Sequence, residues 1–207
     1  MINNETDAFV IIDVQNDFCP GGALAVEDGH AVVAPINALS KKFDHRILTQ
    51  DWHPAGHSSF ASSHEAGVPF ALTQMPYGPQ TLWPDHCVQG SDGAEFHPDL
   101  EVTGAGIIIR KGFRSNVDSY SAFFENDQTT PTGLTGYLRE RGFTRVFVAG
   151  LATDFCVAFS AIDASRQGFT TFVIEDASRA IDMAGSLAAA HEKMVDADVT
   201  IIQSTDL

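Results

Sequence analysis

The 207-residue sequence predicts an α/β fold, a three-layer doubly wound sheet of about six parallel strands. Three observations lead there. Short apolar runs rich in β-branched residues alternate with segments of helical periodicity. Several runs are apolar at consecutive positions, as strands covered on both faces are. A helical candidate lies between most successive runs, which gives the βαβ rhythm that a parallel sheet requires.

In chain order, strands are expected at residues 8–14, 46–50, 106–110, 145–149, 171–175 and 199–203. Helices are expected at 30–43, 132–141, 153–166 and 181–195. Gly142 and Gly168 stand where helix C-terminal signals belong, and Thr153 reads as an N-cap. The rhythm breaks between Asp51 and Thr103, a stretch punctuated by proline and glycine. Connections beyond roughly 12–15 residues without structure of their own are functional or disordered. This one holds both tryptophans and five of the eight histidines, which argues for order. The chain, residues 1–207, therefore reads as one domain, with an ordered active-site insert around 52–104.

Composition narrows the function. A formal net charge of −15 repels phosphate backbones, so a nucleic-acid partner is excluded. No basic amphipathic segment suits a membrane surface, and the polar, acidic residues 1–7 do not resemble a secretory leader. Three widely spaced cysteines cannot all pair, which fits a reducing cytoplasm better than a disulfide scaffold.

The chemistry-bearing residues collect at strand ends. Asp13 interrupts the first strand, Asp51 closes the second and Lys111 the third; Cys156 opens the helix after the fourth. Ligands of open parallel sheets bind beyond the carboxyl ends of the strands, so all four converge on one edge. Taken alone, Cys156 reads as a small core residue, and Asp13 and Lys111 as strand-terminal charges. Together they read as a nucleophile, a base and a cation. The helix N-terminus and Lys111 are expected to favour the thiolate of Cys156, with Asp13 accepting the proton.

The run Asp51-Trp52-His53-Pro54 suggests a metal site, because residues two apart in extended chain point the same way. His86 offers a third ligand. One carboxylate and two imidazoles suit Zn²⁺, and also Mn²⁺ or Fe²⁺. His57 is a fourth ligand or an outer partner, with the second reading preferred.

These residues resemble a known family. Asp13-Val14-Gln15-Asn16-Asp17-Phe18-Cys19-Pro20-Gly21-Gly22-Ala23-Leu24 is similar to the opening signature of nicotinamidases, within the isochorismatase-like hydrolases. Asp51-Trp52-His53-Pro54, Trp83-Pro84-Asp85-His86-Cys87, Lys111-Gly112 and Gly150-Leu151-Ala152-Thr153-Asp154-Phe155-Cys156 continue the match in order. The resemblance implies that Asp13, Lys111 and Cys156 form the family's triad and that Asp51, His53 and His86 bind the metal. It implies a cis peptide at Leu151–Ala152, with the N–H groups of Ala152 and Cys156 as the oxyanion hole. Phe18, Trp83 and Tyr120 would wall a pyridine pocket.

The expected reaction is hydrolysis of nicotinamide to nicotinate and ammonia through a Cys156 thioester, in NAD salvage. The metal would bind the pyridine nitrogen. A carbamoyl amide hydrolase of the same superfamily is the nearest rival, although such enzymes generally lack the Asp51–His53 pair. A non-catalytic zinc-stabilised binding protein is the rival from another class. The resemblance leaves assembly open, with a lean towards a homo-oligomer.

Overall fold

The computed structural model describes residues 2–207; Met1 lies outside the described residues. The elements in chain order begin with β1 (Asp7–Ile12), α1 (Val33–Ser40) and β2 (Arg46–Asp51). A hairpin of β3 (Leu72–Met75) and β4 (Gly78–Thr81) follows, then β5 (Ala105–Lys111), α2 (Leu134–Glu140) and β6 (Arg145–Leu151). The chain ends through α3 (Ala158–Arg166), β7 (Thr170–Arg179), α4 (Ser186–Asp196) and β8 (Thr200–Ile202).

Six strands form one sheet in the order β5-β2-β1-β6-β7-β8, and every neighbouring pair is parallel. Consecutive residues of β1 feed opposite cores. Phe9 and Ile11 pack with Ile36, Leu39 and Phe43 on the α1 side. Ala8, Val10 and Ile12 pack with Leu134 and Leu138 of α2, Ala161 of α3 and Met194 of α4. A strand buried on both faces must be apolar at every position, which is why these runs do not alternate. The charged start of β1 is tied down separately: Arg145 donates to both carboxylate oxygens of Asp7 at 2.7 and 2.6 Å, joining the beginnings of β1 and β6.

The strand order reverses direction at β1 and β6, and this switch point is where such sheets open a crevice. All six expected strands are present. The helices differ more. Expected helix 30–43 shortens to α1, preceded by a 3₁₀ turn at Gly29–Val32. Expected helix 181–195 begins only at Ser186, because Asp182, Ala184 and Gly185 hold positive φ angles that no helix accepts. Thr153 is not an N-cap. It opens a π-helical turn, Thr153–Val157, whose cap residue is Ala152, and α3 starts after it. Among the described residues, no helix is long and apolar enough to cross a membrane.

Candidate active site

At the carboxyl edge of the sheet, β1, β2, β5 and the turn after β6 each present one polar side chain. Lys111 is fully buried, so its ammonium must find acceptors. It lies 2.8 Å from Asp13 Oδ2 and donates to Asp51 Oδ1 at 3.0 Å and the Ser119 carbonyl at 2.9 Å. Its Nζ also stands 3.5 Å from Cys156 Sγ. Burial works against its charge, but Asp13, Asp51 and Cys156 outweigh it and hold Lys111 well above the ordinary lysine range.

Asp13 sits at φ 47°, a left-handed conformation that aspartate tolerates and that turns its carboxylate inward at the strand exit. Thr49 donates to its Oδ1 at 2.6 Å. Burial raises the Asp13 carboxyl above its usual range despite the pull of Lys111. Cys156 differs from expectation in its charge. Burial pushes its thiol well above the usual range; Lys111 pulls the other way, but Asp13 and Asp51 both add to the rise. One cation and a helix terminus favour the thiolate, but desolvation and a second carboxylate act against them. Burial and both carboxylates therefore favour the neutral thiol.

The turn carrying Cys156 is positioned from below. At Gly150 a Cβ would stand 2.1 Å from the Ile12 carbonyl oxygen, so only glycine lets β6 lie this close to β1 at its exit. The Leu151–Ala152 peptide that follows is cis, as the resemblance implied.

Asp51, His53 and His86 bring one ligand atom each within 4.8 Å of one another. Both imidazoles have their orientation fixed by the backbone. His53 Nδ1 donates to the Gly112 carbonyl at 2.9 Å and His86 Nδ1 to the Pro84 carbonyl at 2.8 Å. A carbonyl can only accept, so each ring leaves Nε2 as its coordinating atom. These two atoms lie 3.0 and 3.3 Å from Asp51 Oδ2. Three acceptors turned on one another, with outer hydrogen bonds in place, fit a divalent cation. The insert is folded back to achieve this: His53 N–H donates to the Cys87 carbonyl and Gln89 N–H to the His53 carbonyl, so His86 arrives beside β2.

Burial opposes charge on Asp51, but His53 and Lys111 hold its carboxyl well below the usual range. His57 lies behind His53, with ring centroids 4.5 Å apart. Its Nε2 donates to the Arg114 carbonyl at 2.8 Å, and its Nδ1 accepts from Ser59 at 2.7 Å. Both nitrogens thus have partners, and His57 also converges with His53 and Asp118, one ligand atom each within 4.8 Å of one another. Burial, with His53 nearby, keeps it neutral by lowering its pKa.

Above these groups lies a cleft with about 330 Å³ of empty space, part of it open to solvent. Phe18, Trp83 and Tyr120 line it together with Asp51, His86, Ala152 and Cys156. Trp83 donates to the Tyr120 hydroxyl at 3.1 Å and meets Phe155 edge-on at 5.0 Å. Leu24, Asp118, Phe155 and Ile181 also line the cleft and were missed in the sequence. Leu24 and Phe155 lie in or beside the two longest motifs, a signal that could have marked them. Asp118 lies in an irregular segment that no periodicity singles out, and Ile181 was read only as the start of an expected helix.

The isochorismatase domain family model matches residues 7–206. The nicotinamidase of Acinetobacter baylyi is 54% identical over 200 residues, covering 97% of this chain and 94% of that protein. A solved structure described as an Acinetobacter baumanii nicotinamidase pyrazinamidease superposes with a TM-score of 0.98 at 54% identity, covering 99% of each chain. The pyrazinamidase of Pyrococcus horikoshii, solved in complex with zinc, gives a TM-score of 0.78 at 34% identity, covering 95% of this chain and 98% of that one. With the family model spanning nearly the whole sequence, this chain belongs to the isochorismatase family.

Proposed function

We propose that this chain is a nicotinamidase that hydrolyses nicotinamide to nicotinate and ammonia through a thioester on Cys156. One observation carries the reading: a single buried ammonium, Lys111, touches Asp13, Asp51 and Cys156 together, at the foot of an aromatic cleft. The relatives' names support the substrate class.

The aromatic side chains of Phe18, Trp83 and Tyr120 sandwich the pyridine ring and set the carboxamide over Cys156. Such positioning contributes about 7–11 kcal/mol in well-oriented reactions. Asp51, His53 and His86 hold a divalent cation, most simply zinc, which when bound supplies a Lewis-acidic anchor for the ring nitrogen. Asp13 takes the thiol proton as sulfur attacks the carbonyl carbon, and Lys111 stabilises the resulting ion pair. The N–H groups of Ala152 and Cys156 receive the oxyanion; losing one such donor costs about 10²–10³ in rate. Asp13 returns the proton to the departing ammonia, then activates the water that cleaves the thioester.

The three free cysteines support a reducing cytoplasm as the site of action, in NAD salvage. Both His57 nitrogens have hydrogen-bond partners, which argues against the closed four-ligand set of a purely structural zinc.

The test is the Cys156→Ala variant assayed for ammonia release from nicotinamide. We expect no release, with the parent's metal content and circular dichroism. Substantial turnover by that variant excludes the covalent route.

A further inference from the structure

The turn that carries Cys156 also carries a buried carboxylate that the proposed reaction does not use. Asp154 is 5% exposed and points away from Lys111's cluster, into the β7–α4 connection. Its Oδ1 accepts from the Ile181 N–H at 3.0 Å, and its Oδ2 from the Asp182 N–H at 2.8 Å and the Ser186 hydroxyl at 2.5 Å. One side chain thus holds both ends of the strap between residues 181 and 186. The strap is otherwise held by the Ser186 N–H on the Met183 carbonyl, by the Leu187 N–H on Asp182 Oδ1, and by Ile181 and Met183 packed on the core. Asp182, Ala184 and Gly185 are exposed and in left-handed conformations, while Ile181 at its start lines the cleft beside Cys156.

We propose that Asp154 is a specificity-determining positioning residue, which pins the 181–186 strap so that Ile181 forms a fixed wall of the aromatic-amide pocket. Charged acceptors make the stronger hydrogen bonds, and two backbone donors at adjacent residues fix a strap's position and its orientation. A wall held this way rejects ring substituents that a yielding wall admits. One added carbon in a fitted apolar pocket changes discrimination by about 10–200-fold. The carboxylate matters beyond its volume. In Asp154→Asn, one oxygen keeps its donors while the new NH₂ faces an N–H of the strap, and the pair repels.

The inference rests on the nicotinamidase reading, and the experiment separates the two. The parent is first assayed with nicotinamide; no ammonia release there overturns the functional reading, and with it the inference. With an active parent, kcat/KM is measured for nicotinamide and for 5-methyl- and 6-methylnicotinamide, in Asp154→Asn, Ile181→Ala and the double variant. We expect each single variant to shift the methylated-to-parent-substrate ratio towards the methylated amide by about tenfold for at least one of the two probes. The double variant should match Ile181→Ala, because both changes act through one side chain.

Equal losses on all three amides, or additive shifts in the ratio, overturn the proposal, since a structural role lowers every substrate alike. Should Asp154→Asn fail to fold, Ser186→Ala removes one donor from the same carboxylate far from the ring. Its ratio should move in the same direction by about threefold, and an unchanged ratio counts against the proposal.

Discussion

Lys111 has three ammonium hydrogens, and Asp13, Asp51 and the Ser119 carbonyl are near enough to take all of them. Cys156 Sγ, 3.5 Å from Nζ, also accepts from the ammonium, so this one cation is shared among more acceptors than it has hydrogens. Burial and the two nearby carboxylates work against ionisation of the thiol, and Lys111 works for it. A raised pKa in an acidic group means that the neutral form persists to higher pH, and burial is the largest cause here. Alkylation of Cys156 by iodoacetamide, measured on the chelator-treated protein, should accordingly accelerate through an apparent pKa above the ordinary thiol value of about 8.5. A rate already at its plateau at pH 7 contradicts this account. The identities of these groups were legible in the sequence, because charged residues at the ends of apolar runs need a reason. Their ionisation was not. It depends on how many carboxylates surround one cation, and Asp51 reaches Lys111 from a neighbouring strand 60 positions away.

At the scale of elements, the strands were legible and the turns were not. Burial on both faces leaves an unmistakable apolar run, and β7 exceeds its expected end only because it resumes pairing with β6 at Ser178 and Arg179 after a register shift. The π-helical turn at Thr153–Val157 has the same composition as ordinary helix, so nothing in its residues distinguishes it. The β3–β4 hairpin was missed because Gly78–Thr81 holds glycine and proline where strands favour β-branched residues.

One turn does announce its constraint. Gly112, at φ 67°, follows β5, and a Cβ there would stand 2.5 Å from His53 Cε1, 2.8 Å from Nδ1 and 3.0 Å from Asp51 Oδ1. Its carbonyl is also the acceptor that fixes the His53 ring. Gly112→Ala should displace His53 and weaken zinc binding by about 10–100-fold, as loss of an outer hydrogen bond does. Competition against a chromogenic chelator measures this directly, and unchanged affinity removes the argument.

For the whole molecule, the arrangement of the metal ligands bears on how the chain unfolds. Asp51 belongs to the sheet, whereas His53 and His86 belong to the stretch that interrupts the βαβ rhythm. Gln15, just beyond β1, donates to the Asp51 and Ala94 carbonyls at 2.8 and 2.9 Å, stitching the same stretch to the sheet's centre. We propose that sheet and insert form one cooperative domain, in which a bound cation ties the two together. A ligand that binds only the native state stabilises it by about 4 kcal/mol at a thousandfold excess over Kd. For a chain of this size each kcal/mol moves Tm by about 2–4 °C, so removing the metal should lower Tm by roughly 8–16 °C. Calorimetry should show one transition before and after chelation, with the van't Hoff and calorimetric enthalpies equal. If only part of the heat shifts on chelation, the insert unfolds separately from the sheet and the single-domain proposal fails. If nothing shifts, Asp51, His53 and His86 do not hold a stabilising cation, and their convergence owes nothing to metal.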